Sequence, residues 1–79
     1  MPYILQRLAA GSYDLLLEGA LVGGVVREVG KNGFVRGWRA ELMSDMPPMP
    51  APFTQETHEF ETFEAAVAWL GTSVWIEGA

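Results

Sequence analysis

Two turn signals restrict the first half of this chain to a hairpin-forming arrangement. Glu18-Gly19 and Asn32-Gly33 each place a glycine at a reversal of the chain, where glycine adopts the positive φ angles of tight hairpin turns. The segments beside these turns are rich in β-branched and aromatic residues, which favour strands. The sequence therefore predicts three consecutive antiparallel strands, over residues 13–17, 20–29 and 34–43.

Alternation of residue types assigns a core-facing side to these strands, since successive side chains of a strand point to opposite sides of the sheet. The predicted core-facing residues are Tyr13, Leu15, Leu17, Trp38, Ala40 and Leu42. Gly23-Gly24, inside the second strand, indicates a bulge, a bend or a close approach by another backbone.

The second half begins with a proline-rich connection, because four of the nine residues from Ser44 to Pro52 are proline. A fourth strand is predicted over residues 55–62. Thr62 is a suitable N-cap and Gly71 a suitable end for a short helix, whose buried stripe consists of Phe63, Ala66, Val67 and Leu70. Residues 1–11 fit a helical turn or an edge strand, and residues 72–77 fit a last strand or a tail.

Together these elements predict one small α+β domain over residues 1–79. Its fold class is an antiparallel meander of three to four strands with one short C-terminal helix packed on one face. A helix of two to three turns cannot cover both sides of such a sheet, so one face is expected to stay uncovered. With 49% hydrophobic residues, the chain has enough apolar surface for a core and a shared interface.

The acidic residues are unevenly distributed along the chain. The segment from Ala40 to Ala79 holds seven acids and no lysine or arginine, a charge of −7, whereas the first 39 residues hold five basic and three acidic residues, a charge of +2. A net charge of −5 disfavours nucleic acid as a direct partner and favours a protein with a basic surface.

Several residue patterns were candidates for chemistry. His58, the only histidine, has no readable nucleophile beside it, so a strand histidine at the edge of the helix-covered face is favoured over a catalytic or metal-binding one. The acidic residues lack the loop spacing of calcium or magnesium sites. We therefore expect no enzyme activity, no metal and no cofactor. The chain has no cysteine and no apparent signal peptide, and a cytoplasmic location without a membrane partner is expected.

Basic and aromatic residues alternate on the second and third predicted strands and their turn. Arg27, Lys31, Arg36 and Arg39 alternate with Phe34 and Trp38, as in some sheets that bind single-stranded nucleic acid. The net negative charge argues against that function, and Arg39 is expected to pair with Glu59 or Glu61 across the open face. Methionine packs adaptably at binding surfaces, so the methionines beside the prolines keep the proline-rich connection as an alternative contact surface.

The strand-strand-strand-helix order, with Thr62-Phe63-Glu64-Ala65-Ala66 opening the helix, resembles the N-terminal domain of HicB-type antitoxins. That resemblance implies an antitoxin or a small accessory subunit that dimerises through an edge strand. In size, acidity and architecture the chain is also similar to small phage-encoded inhibitors such as anti-CRISPR proteins, which implies an inhibitor that occupies a surface of a larger partner.

The sequence thus favours a non-enzymatic protein-binding module, with a homodimer as a further option. Its acidic residues would dock on a basic surface of the partner, and tryptophan would supply the apolar anchor. The predicted partner-binding residues are Glu41, Asp45, Glu56, Glu59, Glu61, Trp69 and Trp75.

Overall fold

The computed structural model describes residues 3–43, 48–72 and 75–77. These residues form β1 (Tyr3–Ala9), β2 (Ser12–Leu17), β3 (Ala20–Val29), β4 (Val35–Leu42), β5 (Thr57–Phe60), α1 (Phe63–Leu70) and β6 (Trp75–Glu77). The strands lie in one sheet in the order β5-β4-β3-β2-β1-β6. The first five are joined by antiparallel pairings, whereas β6 pairs parallel with β1.

The α+β class is confirmed, but the predicted count of three to four strands is wrong. The antiparallel part of the sheet has five strands, because the ambiguous segment 1–11 contains β1. Tyr3 and Leu5 are buried in β1, which gives this strand the same core-facing alternation as its neighbour β2. Of the two alternatives for residues 72–77, a strand or a tail, the structure shows a strand at Trp75–Glu77. Since β6 pairs with the outer side of β1, β1 is not an edge strand.

Of the alternatives that Gly23-Gly24 left open, the structure shows a bulge and a close approach, both at Gly23. The pairing with β2 shifts between Leu15 and Leu16, so that Leu15 faces Gly23 and Leu16 faces Leu21. The backbone of β4 also passes close to this point, and a Cβ added to Gly23 would overlap the carbonyl oxygen of Glu41. Gly23 thus permits a closer approach of two strands than any side chain would allow.

The helix begins and ends at the predicted residues. The Thr62 side chain accepts a hydrogen bond of 3.0 Å from the Ala65 N–H, and Glu64 lies in the first turn. Gly71 ends the helix with a φ of 76°, and the Gly71 and Thr72 amides donate to the carbonyls of Ala68 and Val67. These bonds satisfy backbone groups that an uncapped helix end would leave without partners.

The core lies between the sheet and a second layer made of α1 and the segment that precedes β5. Helix α1 contacts β4 and β5. The preceding segment covers the other end of the sheet, where Phe53 is buried and its ring lies 6.3 Å from that of Tyr3. The buried hydrophobic residues are Tyr3, Leu5, Leu15, Val22, Val25, Ala40, Leu42, Phe53, Ala66 and Leu70.

Tyr3 ties this segment to β1 and makes the fold sensitive to alkaline pH. Its hydroxyl donates a 2.6 Å hydrogen bond to the Ala51 carbonyl, and burial raises the pKa of the phenol above its ordinary 10.0. A raised pKa favours the neutral form in the folded state. The stabilisation is therefore complete below pH 10 and is lost as the pH rises through the folded-state pKa.

We expect Tyr3→Phe to lower the free energy of unfolding by about 1 kcal/mol at neutral pH, because one hydrogen bond is lost. The same variant should show a smaller further loss of stability than the wild type between about pH 8 and about pH 11. Urea unfolding across that range measures both effects. An alkaline loss of stability in Tyr3→Phe as large as that of the wild type would contradict the assignment.

Candidate binding surface on the open face of the sheet

The sheet has a second face, opposite the helix, on which cross-strand neighbours form three rows. Residues paired across antiparallel strands share a face, so the register fixes the members of each row. We call this surface the open face. Its rows are Ile4, Leu16 and Leu21; Gln6, Asp14, Gly24, Glu41 and Thr57; and Ser12, Val26, Arg39 and Glu59, with Glu28 beside them opposite Gly37.

The open face is acidic. Four carboxylates (Asp14, Glu28, Glu41 and Glu59) accompany one guanidinium, that of Arg39, and the sum of −4 and +1 leaves a charge of −3 on these rows. Like charges held together on one surface repel and are attracted to a surface of opposite sign. This concentration of negative charge favours a basic partner.

Arg39 organises the centre of the acidic rows. Its Nη1 lies 3.4 Å from Oε1 of Glu28, and its Nε lies 3.5 Å from Oε1 of Glu41. The structure thus differs from the expected pairing with Glu59 or Glu61. Glu28 reaches the guanidinium from the neighbouring strand β3, and Glu41 reaches it from two residues along β4 on the same face. The buried Nε has no partner of hydrogen-bonding geometry among the described residues.

One end of the open face is apolar. Ile4 and Leu16 are half-buried, and Leu21 is 47% exposed. The three side chains lie next to one another in register on β1, β2 and β3. A partly exposed apolar row beside charged rows is typical of protein-binding surfaces, where apolar contact adds to electrostatic attraction.

The predicted site residues are spread over several parts of the molecule. Glu41 and Glu59 lie on the open face. Glu56 is exposed just before β5, and Glu61 is exposed just after it, since β5 ends at Phe60. Asp45 and the side chain of Trp75 lie outside the described residues.

Trp69 lies on the helix side, where aromatic rings surround it. Its ring centroid is 4.9 Å from that of Phe53, 4.6 Å from that of His58 and 5.1 Å from that of Phe60. It is half-buried. Trp69 thus joins α1 to β5 and to the preceding segment, and only its remaining exposed surface is available to a partner.

His58 belongs to the same ring cluster. It sits on the helix-covered side of β5, and its Nε2 accepts a hydrogen bond of 3.2 Å from the Thr54 N–H. Its ring also packs edge-on to Phe53 at 5.7 Å. These contacts give the histidine a structural function in holding the residues before β5 against the sheet.

Sequence reasoning missed Asp14 and Glu28 as members of the acidic surface. Both belong to the half of the chain with a net positive charge, so a count by halves conceals them. Alternation could have found Asp14, because Tyr13 and Leu15 face the core and the residue between them must face the other side. Glu28 lies three positions after the core residue Val25. An odd offset along a strand places two side chains on opposite faces, so Glu28 must face away from the core.

A shallow pocket opens near Gly37 at the end of β4. Its volume is about 150 Å³, and its lining residues are Glu28, Arg36, Gly37, Trp38, Glu59 and Phe60. Its charged lining residues are two carboxylates and one guanidinium, that of Arg36, and one of the carboxylates, Glu28, is already paired with Arg39. This lining points to no particular ligand.

Within the described ranges, no group of three or more histidine and acidic side chains is placed to hold a metal ion. No helix in the same part of the chain has the length and apolar character needed to cross a membrane. Comparisons with protein-family models, curated proteins and solved structures gave no significant match to this chain.

Proposed function

We propose that this protein is a non-enzymatic binding module that docks its open face on a basic surface of a larger protein. The supporting observation is one sheet face, opposite the helix, that combines a charge of −3 with a partly exposed apolar row. Carboxylates steer a basic partner toward the face, and the apolar row then supplies contact area.

The proposal extends to the class of protein. A small acidic chain that occupies a basic surface acts as an inhibitor when that surface otherwise holds nucleic acid, as in the phage-encoded inhibitors that this chain resembles in size and acidity. The register supports an acidic face built from Glu41 and Glu59 together with Asp14 and Glu28.

The second candidate is a HicB-like antitoxin or accessory subunit that dimerises through an edge strand. β5 is such an edge, but it has only four residues. It carries Glu59, and Glu56 and Glu61 flank it. Two copies paired along β5 would bring these carboxylates together, and charged residues on short edges oppose strand pairing. The edge-strand dimer therefore has less support than the open face.

The test begins with affinity capture from the native host and mass spectrometry, followed by binding measurements on the purified partner. We expect Glu41→Gln combined with Glu59→Gln to weaken that complex by about tenfold or more, because two carboxylates leave the contact. Affinity of the wild type should fall steeply as salt rises.

The matched control removes the same charge from elsewhere. Glu56→Gln combined with Glu64→Gln changes one exposed residue before β5 and one on α1. This control should bind the partner as the wild type does. Equal weakening by both double variants would show only a net-charge effect, and a larger loss in the control would move the contact to the helix side; either result contradicts the open face as the binding surface.

A further inference from the structure

The hairpin that joins β3 to β4 carries a second charged surface, opposite in sign to the open face. Arg27, Lys31 and Arg36 are exposed there and give it a charge of +3. Two apolar side chains accompany them, Val29 at 52% and Phe34 at 72% exposure. We call these five residues the hairpin end.

The hairpin end presents Phe34 on an ordered turn. The Gly30 N–H donates to the Phe34 carbonyl at 2.9 Å, and the Gly33 N–H donates to the Gly30 carbonyl at 3.0 Å. The Phe34 N–H donates to Oδ1 of Asn32 at 3.2 Å. An exposed aromatic ring on a fixed turn loses little conformational freedom when it binds, which is a property of interface anchors.

The open face has the features that such a surface requires. It offers carboxylates to the three cations and an apolar row (Ile4, Leu16 and Leu21) to Phe34. We propose that the hairpin end of one copy docks on the open face of a second copy. This inference uses the same open face as the proposed function, and the head-to-tail contact would compete with the larger partner for it.

Charge also excludes the symmetric alternatives. Two open faces placed together would oppose −3 with −3, and two hairpin ends would oppose +3 with +3. Only the unlike surfaces attract. Each contact leaves one open face and one hairpin end unoccupied, so further copies can add until a ring closes.

Sedimentation velocity tests this contact on three proteins. The hairpin variant combines Lys31→Glu with Phe34→Ala, and the face variant combines Glu41→Lys with Glu59→Lys; circular dichroism checks that both fold. In low salt, we expect the average mass of the wild type to rise as its concentration increases from ~10 µM to ~1 mM, because copies that share a small interface associate weakly. It should return to that of a monomer at ~500 mM salt. Each variant alone should stay monomeric.

The decisive sample is an equal mixture of the two variants. The intact hairpin end of the face variant should dock on the intact open face of the hairpin variant, and assembly should stop at two chains. A wild type that stays monomeric throughout overturns the proposal, as does assembly by either variant alone or a mixture that does not associate. The hairpin variant should still bind the larger partner, which separates failure of this contact from failure of the proposed function.

Discussion

Replacing Gly23 by alanine is expected to lower the free energy of unfolding by about 3 kcal/mol or more, a large share of the stability of a small domain. The new Cβ would overlap the Glu41 carbonyl oxygen and lie 3.0 Å from the Cα of Leu42. Both neighbours are backbone atoms of β4, so relief requires two paired strands to separate. Urea unfolding followed by circular dichroism measures the loss.

The matched control for this substitution is the adjacent glycine. A Cβ added to Gly24 would meet one backbone atom, the carbonyl oxygen of Tyr13, at 3.1 Å. A shift of a few tenths of an ångström relieves that contact, so we expect Gly24→Ala to change the unfolding free energy by about 1 kcal/mol or less. Equal losses for the two variants would contradict the close approach of β3 and β4 at Gly23.

Replacing Leu15 by alanine is expected to lower the free energy of unfolding by about 2–5 kcal/mol, because the substitution leaves a cavity in the core. Leu15 has 0% exposure and lies in the middle of β2. The measurement is again urea unfolding. The slope of the transition should match that of the wild type, which shows that both proteins unfold to similar states.

Leu16→Ala is the control, since it removes the same atoms one residue further along β2. Leu16 is half-buried on the open face, so we expect a loss of about 1 kcal/mol or less. The comparison tests the sidedness of the sheet. A loss at Leu16 as large as that at Leu15 would mean that the open face is covered in the folded protein and is not available to a partner.

The local features of this fold could be predicted from its sequence. The turns at Glu18-Gly19 and Asn32-Gly33, the bulge at Gly23 and the caps at Thr62 and Gly71 each depend on a few adjacent residues. Local chemistry determines them, so short patterns are sufficient to place them. The helix-covered side of β2 and β4 followed from alternation for the same reason.

The features that depend on pairing between distant segments could not be predicted. Nothing near Tyr3 indicates that β1 lies between β2 and β6, and nothing near Trp75 indicates a parallel pairing. The ion pair of Arg39 with Glu28 depends on the register of β3 against β4, whereas its pair with Glu41 joins two residues on the same face of β4. The burial of Phe53 depends on how the residues just before β5 pack against the sheet.

Strand pairing also explains why the candidate surface was predicted only in part. Glu41 and Glu59 were among the predicted partner-binding residues, and the register places them in neighbouring rows of the open face. Asp14 and Glu28 join them only through strand pairing. Charge counted along the chain is therefore a poor guide to charge on a sheet, where residues far apart in sequence become neighbours.

The pairing of β6 with β1 sets the order in which this sheet loses its strands. β6 pairs with β1 through three residues, and among the described strands it has no partner on its outer side. β2, by contrast, pairs along its length with β1 and β3. An edge strand with few backbone pairs opens at a lower free-energy cost than a central strand. Local opening therefore begins at β6, and the amides on the outer side of β1 exchange with solvent before those at the centre of the sheet.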